Sequence, residues 1–129
     1  MQDQPEPDVL VALVAEFLRA DILPVTDGAT GFQLRVAINA LELVGRQLRL
    51  AADTDAAERA RLVALVGQDD TLEELSRALC QRIAQGAMGL GSSGLAEHLW
   101  ATTLEKLAVD QPNYASYERE IENIARRNR

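Results

Sequence analysis

Five polar residues recur at three- and four-residue spacing in the stretch RVAINALELVGRQLRL: Arg35, Asn39, Glu42, Arg46 and Arg49. On a helix that spacing gathers them on one face, where guanidinium forks could grip a carboxylate, a phosphate or the acidic surface of a partner. The alternative is a solvated seam, with Glu42 and Arg46 placed to pair four residues apart. Lys106 stands among Leu95, Leu99, Thr102 and Thr103 in a segment with few charges. It either meets an anion or partner, or snorkels and pairs with Asp110. Tyr114, followed by Tyr117, offers an aromatic contact near the C-terminus. The stretch GLGSSG, Gly89 to Gly94, spells the GxGxxG pattern that cradles nucleotide phosphates. That pattern needs a strand before it, because strand end and helix start together aim the loop amides at pyrophosphate. Here a helical segment precedes it and no basic residue lies between Gln85 and Lys106. A mobile connector capped by Ser92 or Ser93 explains the glycines with fewer assumptions.

Other chemistry has little to stand on. His98 is the single histidine, so no histidine-based metal cluster or second-histidine triad can form; beside Glu97 on a helix it is expected at the surface or half-buried. Cys80 borders an apolar helix face and reads as a packing residue. Asp69, Asp70, Glu73, Glu74 and the Glu118, Glu120, Glu122 series serve as helix-start acids or solvated charges. No ExxH motif of a di-metal bundle occurs. No catalytic residue, cofactor or metal is expected, and the chain reads as a binding protein and not an enzyme.

These residues must be positioned by helices. Sheet signals are missing, because aromatics make up 4% of the chain and no alternating β-branched run is bounded by turns. The expected fold is all-α: a single-domain bundle, 1–129, of about six helices around a long buried second helix. The first runs from Pro7 to Ile22, flanked by Pro5 and Pro24, with Leu10, Leu13, Val14, Phe17 and Leu18 on one face. The second, from Thr30 to Leu50, is apolar around most of its circumference apart from the arginine stripe. Asp55 with Glu58 resembles a capping box for a third helix, Ala56 to Val66, stopped by Gly67. Thr71 with Glu74 repeats the device for Leu72 to Gln85, whose core face is Leu72, Leu75, Leu79 and Ile83. A fifth helix spans Gly94 to Val109 and a sixth Pro112 to Arg127, the last with Tyr114, Tyr117, Ile121 and Ile124 on one face.

Composition narrows the partners. A length of 129 residues with 47% hydrophobic content suits one core. A net charge of −7 opposes binding to nucleic acid, whose affinity comes from clustered Lys and Arg displacing counterions. One cysteine forbids an internal disulfide and suits a reducing cytoplasm. The start MQDQPEPDV lacks the basic and apolar regions of a signal peptide, and no apolar run reaches membrane-spanning length.

The runs Arg35 to Leu50 and LWATTLEKLAVDQPNYASY, Leu99 to Tyr117, resemble a small bacterial all-helical family of uncharacterised domains. Arg35, Asn39, Leu41, Lys106, Leu107, Pro112 and Tyr114 carry the likeness, and PEPDVLVALVAEFLRADILP extends it over most of the chain. Members of that family are encoded beside aminoglycoside-phosphotransferase-like kinases and acyl-CoA dehydrogenases. The resemblance therefore implies an accessory subunit of such a kinase, acting in hydroxyacyl-CoA metabolism. The GLGSSG connector departs from the family pattern. A binder of acyl-CoA or another anionic small molecule, using Arg35, Arg46, Arg49 and Lys106, is the alternative, and the last helix could also seat a second copy to form a homodimer.

Overall fold

The computed structural model describes residues 4–129, and among the described residues there are helices and no strands. Five α-helices follow one another: α1 Pro7–Phe17, α2 Gly28–Val66, α3 Leu72–Ala84, α4 Leu95–Asp110 and α5 Ala115–Arg127. After α1 the chain continues helically through a π-turn, Leu18–Ile22, and a short 3-10 turn, Leu23–Val25. The stretch expected as helix to Ile22 is thus helical throughout, with a wider last turn. None of these helices is long and apolar enough to cross a membrane.

Six expected helices become five because the second and third are one. α2 is 39 residues long, about 58 Å at 1.5 Å per residue. The expected interruption is the stretch AADTDAA, 51–57, which carries four alanines, and neither Gly nor Pro occurs between Arg46 and Val66. Alanine has the highest helix propensity, so the helix runs through Asp55 and Glu58 and their capping-box spacing goes unused. The second such device does operate: the Thr71 hydroxyl accepts from the Glu74 amide at 3.3 Å at the start of α3.

The chain divides into two compact units, one ending at Ala51 and the other beginning at Ala52. In the first, Val11 of α1 passes beside Gly45 of α2, where an added Cβ would lie 3.7 Å from the valine Cγ1. Arg19 reaches Glu42 at 2.7 Å. The entry into α2 is tight: a Cβ on Gly31 would lie 2.6 Å from the Thr26 carbonyl oxygen, so only glycine fits there. Ala15 and Ile38 are buried, but Phe32, Val36, Leu43, Val44 and Leu48 are 38–66% exposed. The expectation of a helix buried around most of its circumference is corrected here. Residues 28–51 have α1 and two short turns to pack against in their own unit, enough to cover one face of a helix and no more.

The second unit has the denser core. Leu62 and Val66 from the end of α2, Leu75 and Leu79 from α3, and Leu95 from α4 form one buried cluster, with Val63, Leu65, Leu72, Ala78 and Met88 packed on it. Ile83, expected with this face, is 39% exposed. Arg59 bonds to Asp69 and, at 3.1 Å, to the Asp70 carbonyl, closing the turn between α2 and α3. Arg82 donates to the Leu65 carbonyl at 3.3 Å.

Candidate functional site

In the first unit, α1 and α2 enclose a groove of about 350 Å³. Val11, Ala12, Ala15, Leu41 and Gly45 form its apolar lining, and Glu16, Arg19, Glu42, Arg46 and Arg49 its charged edge. The Arg49 guanidinium lies over Gly45, its Nη1 3.8 Å from where an added Cβ would be, a distance of ordinary contact. Three residues of the expected stripe, Glu42, Arg46 and Arg49, therefore share this groove. Arg35 and Asn39 are exposed and do not line it. Since Glu42 is held by Arg19, the groove carries paired and neutralising charge as well as cations.

Lys106 and Tyr114 belong to the second unit. Lys106 is exposed on α4, and no ion pair joins it to Asp110 among the described residues. Tyr114 is the N-cap of α5 and 50% exposed. Cys80 is an exposed free thiol on α3. Among the described residues no three His, Cys, Asp or Glu side chains group closely enough to hold a metal.

The chemistry that periodicity did not single out lies at the start of α4. His98 is 4% exposed, a correction to the surface or half-buried place expected of it. It follows the helix stripe Leu95, His98, Thr102, Glu105, Val109, spaced three and four apart, whose two ends are buried apolar residues. Polar residues within such a stripe were the available signal. Across from them Arg61 of α2 grips Glu105 with both terminal nitrogens, at 3.0 Å and 2.6 Å, and reaches the Thr102 hydroxyl at 3.4 Å. The pair is three-quarters buried, with side-chain exposures of 25% and 24%. Burial first, and then the Arg61 guanidinium, hold the His98 imidazole below its ordinary value of 6.5. Glu58 and Glu105 pull the other way, and Lys106 adds to the lowering.

Arg61, Ala64, Leu65, Ser93, Gly94, Glu97 and His98 line a cleft of about 490 Å³. Behind this lining two solvent-inaccessible side-chain atoms, Arg61 Nε and His98 Nδ1, have no hydrogen-bond partner among the described residues. Each such group costs about 1–3 kcal/mol when left unsatisfied. The glycine-rich connector contributes directly to this wall and is folded: the Gly89 amide donates to Ser92 Oγ at 3.1 Å and the Ser92 amide to the Gly89 carbonyl at 2.8 Å. Ser92 is thereby engaged with its own loop. The expected serine cap is corrected, for the N-cap of α4 is Gly94, at φ 82°, with no side-chain cap bond.

The family model for a domain of unknown function, DUF6285, matches residues 24–114, well over half of the chain. The chain belongs to the DUF6285 family. The DUF6285 match covers α2, α3 and α4 and so the whole Arg61–His98 cleft, whereas α1 and its side of the arginine groove precede it. No curated protein and no solved structure matches the chain.

Proposed function

We propose that this DUF6285 chain is a non-catalytic accessory subunit that docks on an aminoglycoside-phosphotransferase-like kinase through the outward face of α1. The observation that supports this reading is the stripe Val9, Leu13, Val14 and Phe17, exposed by 44%, 56%, 49% and 53%. Half-exposure of four such side chains leaves on the order of 300 Å² of contiguous apolar surface, the scale at which a patch on a monomer marks an interaction site. Glu16, near the C-terminal end of α1, and Arg19, in the π-turn that follows, line the neighbouring groove and supply polar groups of the kind that rim interfaces. The kinase comes from the resemblance of the Arg35–Leu50 and Leu99–Tyr117 runs, and its role in hydroxyacyl-CoA metabolism belongs to the same proposal.

Co-expression with an aminoglycoside-phosphotransferase-like kinase of the kind the resemblance implies, followed by purification and sedimentation analysis, tests the idea. A stoichiometric complex is expected, lost in Leu13→Glu and Phe17→Glu variants whose far-ultraviolet circular dichroism is unchanged. A kinase fully soluble and active alone with no complex formed sinks the proposal, as does a chain that uses this face to pair with itself.

A second reading, binding of acyl-CoA or another anionic amphiphile, is favoured by the α1–α2 groove, whose apolar lining ends at Arg46 and Arg49. Calorimetric titration with CoA thioesters against Arg49→Gln decides it: absence of heat in the parent chain discards the reading.

A further inference from the structure

In the first unit α2 meets α1 with one side only. Ile38 is fully buried, and Leu41 and Gly45 line the groove against α1. At about 100° per residue these three lie together, and the arc opposite them carries Phe32, Val36, Ala40, Leu43, Val44 and Leu48. That arc is about 160° wide and holds no Asp, Glu, Lys or Arg between residues 29 and 51. The charges of this stretch stand elsewhere, Glu42, Arg46 and Arg49 edging the α1 groove. A helix side that faces water normally carries them. Yet the large residues here are uncovered: Phe32, Val36, Val44 and Leu48 are 45–66% exposed.

The order of residues along the arc says what fits it. Counted from Ala40 in either direction the pattern repeats: Val36 and Val44 lie four away, Gln33 and Gln47 seven, Phe32 and Leu48 eight. A helix patterned in this way complements a copy of itself running in the opposite direction, as an isologous contact requires. We propose that two copies of this chain pair antiparallel through this face of α2, with Ala40 at the two-fold axis. The small side chain there lets the helices approach to about 8 Å. Val36 then packs beside the partner's Val44 and Phe32 beside the partner's Leu48, large against large at both ends, as in the layers of a coiled coil. The amides of Gln33 and the partner's Gln47 face each other, and each has the donor and the acceptor that the other needs. The opposed macrodipoles compensate, and no charge has to leave water. The arc offers on the order of 600 Å² per copy, about 1,200 Å² for the pair, which reaches the range of stable interfaces. The apolar stripe on the far side of α1 takes no part, so this proposal and kinase docking can fail separately.

Sedimentation equilibrium of the full chain over a dilution series tests the pairing, and a species of twice the 14.1 kDa chain mass is expected. Val36→Glu with Val44→Glu puts carboxylates into the contact and should weaken the dimer about a hundredfold or more, with helix content unchanged. Leu13→Glu with Phe17→Glu, on α1, should leave it intact. Direction is read by disulfide cross-linking in a Cys80→Ser background, which removes the native exposed thiol. Gln33→Cys mixed with Gln47→Cys should cross-link, and neither variant alone should, because like positions in the pair stand about 21 Å apart along the axis. This readout keeps the valines in place and so decides the matter even where the glutamate variant does not fold. A chain that stays monomeric at millimolar concentration overturns the proposal. So does a dimer that survives the valine substitutions, one lost through the α1 substitutions, or cross-linking within a single cysteine variant.

Discussion

The Arg61–Glu105 pair ties the end of α2 to α4 and is the interaction whose removal the structure prices most closely. Replacing Glu105 with Gln keeps the shape and one acceptor oxygen while removing the charge that answers a guanidinium three-quarters withdrawn from solvent. A hydrogen bond to a charged group contributes about 1.5–3 kcal/mol, and a fully buried broken pair costs about 3–5 kcal/mol. With a quarter of each side chain still wet, and one bond retained by the amide, about 2 kcal/mol is expected. Unfolding entropy near 2.1 cal/mol/K per residue over a chain of 129 residues gives about 270 cal/mol/K, so a cooperative melt should fall by roughly 7 °C. Circular dichroism at 222 nm measures it, with Arg61→Met and the double variant closing a thermodynamic cycle. A coupling energy under about 0.5 kcal/mol would show the pair to be an ordinary solvated one and would refute the reasoning.

Three further outcomes follow from the same structure. Because His98 has a lowered value in the folded chain, the unfolded state takes up its proton first as pH falls below 6.5. Stability should therefore drop from 6.5 down through the lowered folded value in the native chain and fall less in His98→Gln, as measured by urea unfolding; equal slopes would contradict the burial of His98 among Arg61, Glu58, Glu97, Glu105 and Lys106. Gly31→Ala places a Cβ against the Thr26 carbonyl and should destabilise by about 1–2 kcal/mol in urea, despite the helix propensity alanine adds; a stabilised variant would mean the entry into α2 is looser. Thr71→Ala should cost about 1 kcal/mol through loss of the Glu74 cap, and Thr71→Asp should recover most of it in the same assay.

Helical class and most element limits were legible because the signals are local. Pro7, Thr71 with Glu74, Gly67 and Gly86 mark starts and stops through backbone geometry that neighbours alone decide. The join between the expected second and third helices was not, since Asp55 with Glu58 offered a start while the alanines around it offered continuation, and propensity prevailed. Arg46 and Arg49 were found by their spacing, and they do meet in a groove. Arg61 and Glu105 escaped notice, and His98 stood out only as the lone histidine, because their meeting joins residues of α2 and α4 more than thirty positions apart, and periodicity within one helix is blind to such pairs. The GLGSSG stretch was read as a connector between helices, but its folding onto its own serine depends on hydrogen bonds that glycine content does not announce.

The apolar face of α1 also bears on how this protein behaves in the tube. Dyes that brighten on contact with hydrocarbon, the usual reporters of unfolding and of molten states, should already fluoresce on the native chain at Leu13 and Phe17. A dye-based melting curve would then start high and flatten, and a well-folded preparation would be mistaken for a damaged one. Leu13→Glu and Phe17→Glu together should remove the false signal while leaving the helix content unchanged.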